Sequence, residues 1–300
     1  YKKLGEKGAL TASMKYFSLG KIDFTDENGS PITQVEPKEF AFDVGYAHKL
    51  GNKFSGGFNL RYVHSNLTGS VSVGSAETKI ARAIAADLNG YYRSEFTIGK
   101  YDALYTFGFN IQNIGNKVRF SESAPLDFIP INLKLGNGIK MNFDEFNELA
   151  LYVDINKLLV PTPPVYARDS EGNLIYDANG DPEIEKGKNP DVAVGTGMIQ
   201  SFYDAPGGGL EEFHEINWSV GMEYWYDQQF AVRLGYFYEN PNKGNRQYLT
   251  MGIGIKYQIF NLDFSYLVPV DQRNPLENTL RFTLAFDLLS SKEKQKAKDN

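Results

Sequence analysis

Few residues of this chain are equipped for chemistry. It has three histidines, His48, His64 and His214, and no cysteine among its 300 residues. The lack of cysteine suits an exported protein that avoids stray disulfides and is shared by many cytosolic ones, so it decides nothing. A nucleophile, base and acid could be drawn only from Ser201, His214 and Glu215. No Gly-x-Ser-x-Gly elbow surrounds Ser201 to hold its hydroxyl at a strained, exposed turn. His48 and His64 fall inside alternating runs. The chain is expected to be no enzyme, with no catalytic residue and no cofactor.

Clustered loop oxygens suit a hard cation, and Asp169, Glu171, Gly172 and Asn173, followed by Asp177, Asn179, Gly180, Asp181 and Glu183, offer such a cluster. The spacing does not fit an EF-hand loop, which needs its glycine sixth. Gly180 comes fourth from Asp177, and Pro182 interrupts the run. Tyr166 to Arg168 and Leu174 to Tyr176 instead read as the arms of a protruding hairpin turned at Gly172-Asn173. No metal is expected. Gly207, Gly208 and Gly209 resemble a phosphate loop in composition alone, since no Lys follows at the required spacing. They read as a flexible loop edge where no helix needs to begin. Just before them, Met198, Ile199, Phe202 and Tyr203 are apolar where a solvated loop favours polar residues. Such a patch marks a partner-binding site or packs on the rim of the fold.

The elements that must carry these loops are about twelve short alternating runs. Leu280, Phe282, Leu284 and Phe286 share one face, with Arg281, Thr283 and Asp287 opposite. The runs are Lys7 to Ser18, Phe40 to Lys49, Phe54 to His64, Ala83 to Tyr92, Asp102 to Gln112, Pro130 to Lys140, Leu149 to Asn156, Ile216 to Tyr226, Phe230 to Tyr238, Gln247 to Tyr257, Leu262 to Val268 and Asn278 to Asp287. Their connections are alternately short and long, the longest being Lys157 to Glu215. A soluble sandwich gives no reason for that alternation. An outer-membrane β-barrel does, having short periplasmic turns and long external loops. Aromatics make up 14% of the chain, with 19 Tyr and 21 Phe, and many sit at strand ends as interfacial girdles do.

No apolar run is long enough for a transmembrane helix, whereas a barrel strand needs only ~9–11 residues, half of them polar. A net charge of -6 argues against nucleic acid, whose binding rests on Lys and Arg. Lys15, Asp43, Asn59, Arg61, Asp87, Asn110, Lys134, Asp154, Glu223, Arg233, Asp263, Arg281 and Asp287 are predicted to face a polar lumen. Their mixed signs suit internal ion-pair networks better than a charge-selective pore. Tyr1 to Lys3 read as the end of a preceding strand that turns at Gly5 and Glu6. The barrel is expected over 1–289 with further N-terminal strands and a plug upstream, and 290–300 as a polar periplasmic tail.

Several segments carry a family likeness. They are Tyr16 to Gly20 with Ile22 and Phe24, Ala85 to Leu88 with Tyr91-Tyr92, Phe109 to Gly115, Ile131 to Gly136 after Pro130, and Val268 to Val270. In this order they resemble the FadL-like outer-membrane proteins, and within them the PorV (LptO) branch of the type IX secretion system. The resemblance implies an all-β, transmembrane antiparallel barrel of 14 strands, about 12 of them in this chain. It implies a cell outer-membrane location amid lipid and LPS. It further implies a subunit that binds the SprA (Sov) translocon barrel and the C-terminal domains of secreted cargo, and delivers cargo to the attachment complex containing the PorU sortase. The alternative branch transports hydrophobic small molecules.

Overall fold

The computed structural model describes residues 1–25, 28–67, 78–122, 124–270 and 279–287. The chain opens with β1 (Lys2–Leu4), β2 (Gly8–Ser18), a small arm of β3 (Ile22–Thr25) and β4 (Pro31–Val35), then β5 (Lys38–Lys49) and β6 (Phe54–Asn66). Next come β7 (Ala81–Ile98), β8 (Tyr101–Gly115), β9 (Asn132–Asn142) and β10 (Asn147–Leu158). The long connection holds β11 (Val165–Tyr166), β12 (Ile184–Lys186), α1 (Val194–Gln200) and α2 (Gly209–His214). After it follow β13 (Ile216–Tyr226), β14 (Phe230–Tyr238), β15 (Gln247–Tyr257), β16 (Phe260–Pro269) and β17 (Leu280–Phe286).

Thirteen strands hydrogen-bond in the order β1-β2-β5-β6-β7-β8-β9-β10-β13-β14-β15-β16-β17, so each meets its neighbour in the chain once the β3–β4 arm and the long connection are set aside. Every one of the twelve alternating runs is a strand. Tyr1 to Lys3 contribute the thirteenth, with Leu4 opposite Gly8 across a turn at Gly5, whose φ is +63°. Arg93 to Tyr101, read as a connection, is strand on both sides of a turn at Gly99, because β7 continues to Ile98. The polar tail 290–300 and Asn278 lie outside the described residues.

Two units divide the strands. Unit 1 comprises Tyr1–Tyr92, Gly108–Leu135 and Asn156–Glu215; unit 2 comprises Arg93–Phe107, Gly136–Ile155 and Ile216–Asn300. In unit 2 the period of two separates the faces cleanly. Val220, Met222, Tyr224, Tyr226, Val232, Leu234, Leu249, Met251, Ile253 and Ile255 are exposed apolar residues on one face. Glu223, Arg233, Gly252 and Ser265 line up across the other by register. A water-solvated sheet would bury the apolar face, and a lipid-facing sheet leaves it outward. At the turn end Tyr226 pairs with Phe230, and Tyr257 with Phe260 and through it Phe286, all exposed, which is how an interfacial girdle is placed. The β13–β14 turn is tight because Asp227 and Gln228 both take positive φ, at 50° and 53°.

In unit 1 the buried apolar residues lie where the connections fold back on the strands. Ala83, Ala85, Ile129, Ile131 and Leu159 form the centre, with Val63, Phe128, Val194 and Met198 packed against it. Ile131 is fully buried. Small alanines on β7 make room for the larger side chains above them.

Candidate functional site

The β10–β13 connection begins as a double-turned arm. Val165 pairs with Lys186, and Arg168 bridges Leu174 on either side of the Gly172 turn, so the protruding hairpin is as read from the sequence. A second turn at Gly180 extends the arm, with Tyr176 opposite Pro182. Both turns are closed by an aspartate. Asp169 accepts from the amides of Asn173 and Glu171, each at 2.9 Å, and Asp177 from those of Asp181 at 3.0 Å and Asn179 at 2.8 Å. The Asn173 amide, with help from the Asn173 side chain and Glu171, holds Asp169 below its ordinary pKa. The amides of Asp181 and Asn179 do the same for Asp177. These carboxylates are thus engaged in turn formation, and among the described residues no group of three His, Cys, Asp or Glu could hold a metal ion.

Beyond the arm the chain forms α1 and α2. The Gly207–Gly209 stretch is a helix start and not a flexible edge: Gly208 adopts φ +72° as N-cap, and the Gly207 amide bonds Glu211 at 2.5 Å. Lys157, buried at the end of β10, fixes α2 by donating to Glu212 at 3.0 Å and Glu215 at 2.7 Å. The Thr162 hydroxyl donates to the second Glu215 oxygen at 2.8 Å, and the Ala205 amide to Glu212 at 2.8 Å. Asp204, 1% exposed, accepts from the Thr162 amide at 3.1 Å. Burial raises its pKa, the Thr162 hydrogen bonds oppose that, and the Glu212 charge adds to the rise. Ser201, His214 and Glu215 do not form a triad. The Ser201 hydroxyl is spent on the Met198 carbonyl at 2.9 Å, and Glu215 is held by Lys157 and Thr162.

This scaffold sorts the four apolar residues singled out in the sequence. Met198 turns inward onto the buried cluster of Ala83, Ala85 and Ile131. Ile199, Phe202 and Tyr203 stay outward, at 66%, 51% and 54% exposure. Leu210 and Phe213 of α2 are also exposed, an extension the sequence reading missed although their spacing of three on a helix was visible. Lys157 stands 5.7 Å from the Phe202 ring, and Lys188 3.8 Å from that of Tyr203.

On the polar strand faces the structure brings together six of the residues predicted for a lumen. In unit 1 Arg61 bonds Asp43 at 2.5 Å and Asp87 at 2.9 Å, and also reaches Asn113. In unit 2 Arg233 pairs with Glu223 and, at 2.6 Å, with Asp263. Asn59 closes over Gly45, Asp154 lies over Gly136, and the Asn110 side-chain oxygen is buried with no hydrogen-bond partner. Lys15, Lys134 and Arg281 are exposed.

The family model for the type IX secretion system protein PorV matches residues 1–165. The chain belongs to the PorV family. No curated protein matches it. Among solved structures it is similar to the Pseudomonas putida toluene transporter TodX, at 11% identity over 94% of this chain and 78% of that one, with a TM-score of 0.46. It is similar also to Pseudomonas aeruginosa OccK8 (OprE), at 10% identity over 88% and 85% of the two chains, with a TM-score of 0.30. The protein is thus a β-strand-rich member of a family of type IX secretion system proteins.

Proposed function

We propose that this protein is the partner-binding barrel subunit of a type IX secretion system. It closes as a 14-stranded FadL-like barrel, presents the β10–β13 connection outside the cell, and docks the SprA (Sov) translocon and the C-terminal domains of secreted cargo through it. Cargo then passes to the attachment complex containing the PorU sortase. The observation that carries this reading is the apolar face of Ile199, Phe202 and Tyr203, exposed yet flanked by Met198 in the buried cluster and by Asp204 on the Thr162 amide. An exposed apolar group on a pre-ordered scaffold binds without the entropic cost of ordering a loop. Central anchors of such interfaces typically contribute more than ~1 kcal/mol each.

The test is simultaneous replacement of Ile199, Phe202 and Tyr203 by Ser in full-length protein. The expected result is normal barrel assembly with reduced co-purification of translocon or cargo and impaired secretion. Wild-type co-purification and secretion would assign the face to packing alone. Cys substitutions in 157–215 and at the turns near Gly51 and Gln228 give the sidedness, the former accessible from outside and the latter from the periplasm.

A second reading, passage or binding of hydrophobic small molecules, is favoured by one feature, a bay of about 200 Å³ in unit 2 lined by Tyr152, Asp154, Gly221, Gly235, Phe237 and Tyr248. Loss of uptake of such a compound with intact secretion in a deletion strain would bring that reading to the front.

A further inference from the structure

On the exposed apolar face of unit 1 the strand register sets side chains in level rows. Phe42, Tyr62 and Ile84 form one row, and Val44, Leu60 and Ala86 the next. At the end from which the β6–β7 connection leaves, the face changes character. There the row is Tyr16, Phe40, His64 and Arg82. His64 stands directly opposite Arg82, and its ring is stacked on Phe40 at 4.7 Å and 16°. Partners so paired have Cβ atoms about 4.5–5.5 Å apart.

Two nitrogen-bearing side chains that face each other so closely call for an acid between them, and the row holds none. The row above carries Ser18, Lys38 and Asn66, and the row below is uncharged. Acids elsewhere at this end are already engaged: Glu36 by Lys38 at 3.2 Å, Glu122 by Lys79, and Asp191 by Lys117 at 2.9 Å. Glu39, on the opposite face, accepts from the Ser65 hydroxyl. Among the described residues the Arg82 guanidinium has neither an ion pair nor a hydrogen bond. Its backbone is fixed all the same, because the Asn116 side chain donates to the Arg82 carbonyl at 3.3 Å and accepts from the Ile84 amide at 2.8 Å.

The height of the row indicates what the missing acid is. From His64 to Phe54, whose partner is Tyr92, β6 advances ten residues. At ~3.3 Å per residue and a strand tilt of ~35–45° that is about 25 Å, the height of the apolar band of an outer-membrane barrel. In a bilayer seated on that band, Arg82 and His64 reach the level of the headgroup phosphates, with the exposed Leu60 and Ile84 below them. An arginine grips a phosphate through two parallel N–H bonds, and an imidazole held against an aromatic ring supplies a further donor. We propose that Arg82 and His64 bind a phosphate of an outer-leaflet glycolipid, with its acyl chains lying along Tyr62, Leu60 and Ile84. The inference takes from the proposed function only the sidedness that puts the long connections outside. Lipid binding needs no secretion partner, so either can fail alone.

The experiment is native mass spectrometry of the detergent-solubilised full-length protein titrated with diphosphoryl lipid A. The expected result is one retained lipid per chain, with dephosphorylated lipid A bound at least tenfold more weakly and inorganic phosphate not retained. Arg82→Gln should weaken diphosphoryl lipid A at least tenfold, and His64→Phe, which keeps the stack on Phe40, about threefold. Lys100→Gln, which removes an exposed cation at the turn that ends β7, should leave binding unchanged. Equal binding of phosphorylated and dephosphorylated lipid, or wild-type binding by the Arg82→Gln variant, would overturn the proposal. Retention of inorganic phosphate as strong as that of the lipid would overturn the lipid assignment. Labelling of the turn near Gly51 from outside the cell would put the row in the inner leaflet and overturn the outer-leaflet assignment. Should Arg82→Gln not fold, His64→Phe serves alone, and unchanged affinity there counts equally against the proposal.

Discussion

Arg233 on β14 reaches Asp263 on β16 by passing over β15, at 2.6 Å between Nη1 and Oδ1, and the residue beneath the bridge is Gly254. A Cβ at position 254 would stand 2.7 Å from the Asp263 oxygen and 2.8 Å from the Arg233 nitrogen. Glycine is required there for close approach across the strand, not for its backbone freedom. Asp43, Arg61 and Asp87 repeat the plan of one guanidinium between two carboxylates in unit 1. Both assemblies tie neighbouring strands together from the polar face, opposite a face of exposed apolar residues.

Gly254→Val should therefore break the Arg233–Asp263 bridge without touching either charge. The groups are about a third exposed, so the loss falls below that of a fully buried pair, and about 1–2 kcal/mol is expected. Unfolding in bilayers measures it. Combining Gly254→Val with Asp263→Asn should cost little more than either change alone, because both remove one interaction. Full additivity would show that the bridge contributes nothing.

The strand faces make a second prediction. Leu284 is exposed on the apolar face of β17, and Thr283 lies on the face of its partner Asp263. Leu284→Arg near mid-membrane should destabilise by ~2–4 kcal/mol, and Thr283→Arg by much less. Equal effects in a bilayer folding titration would refute the assignment of faces.

Strand positions were legible because period-two alternation is local and strong. Leu249, Met251, Ile253 and Ile255 cannot share a face in any other regular structure. The β3–β4 arm carries only a short local signal, Asn28-Gly29 with Gly29 at φ +81°, between strands of four and five residues. The two helices had almost none. They span seven and six residues, and neither Ala193 nor Gly208 supplies a side-chain cap. Tertiary contacts hold them instead, Lys157 from a strand end and Met198 from the buried cluster. The polar-face residues could be named from alternation, but their partners could not. Which acid an arginine meets depends on register and on where a glycine lets it cross.

The acidic arm should be sensitive to low pH. Asp169 and Asp177 are held below their ordinary pKa by the amides they accept from, so the folded turn binds protons less readily than the unfolded one. Their support is complete above the ordinary aspartate value of about 4 and is lost as pH falls through the lowered folded value. Amide exchange of Glu171, Asn173, Asn179 and Asp181 should be slow near neutrality and accelerate in acid, once intrinsic rates are corrected. Asp169→Ala should expose Glu171 and Asn173 at every pH and leave Asn179 and Asp181 protected. Unchanged protection in that variant would show that the turns stand on backbone geometry alone.

Asp204 carries the opposite sign, and its effect bears on the proposed docking face. Burial raises its pKa, so the fold disfavours the ionised carboxylate that an exposed aspartate would carry at neutral pH. That penalty is absent below the ordinary value of about 4, grows as pH rises, and levels off above the raised folded value. Asp204→Asn removes the charge while its amide oxygen still accepts the Thr162 amide hydrogen. The variant should match wild type near pH 4 and gain local stability at neutral pH. Hydrogen exchange across 159–206 reads this directly, with the protection of α1 rising in the variant as pH increases. Because α1 and the residues after it bear Ile199, Phe202 and Tyr203, the same variant should retain partner binding in full. A variant less stable than wild type at all pH values would instead make the Asp204 carboxylate an essential charged member of the network around Lys157.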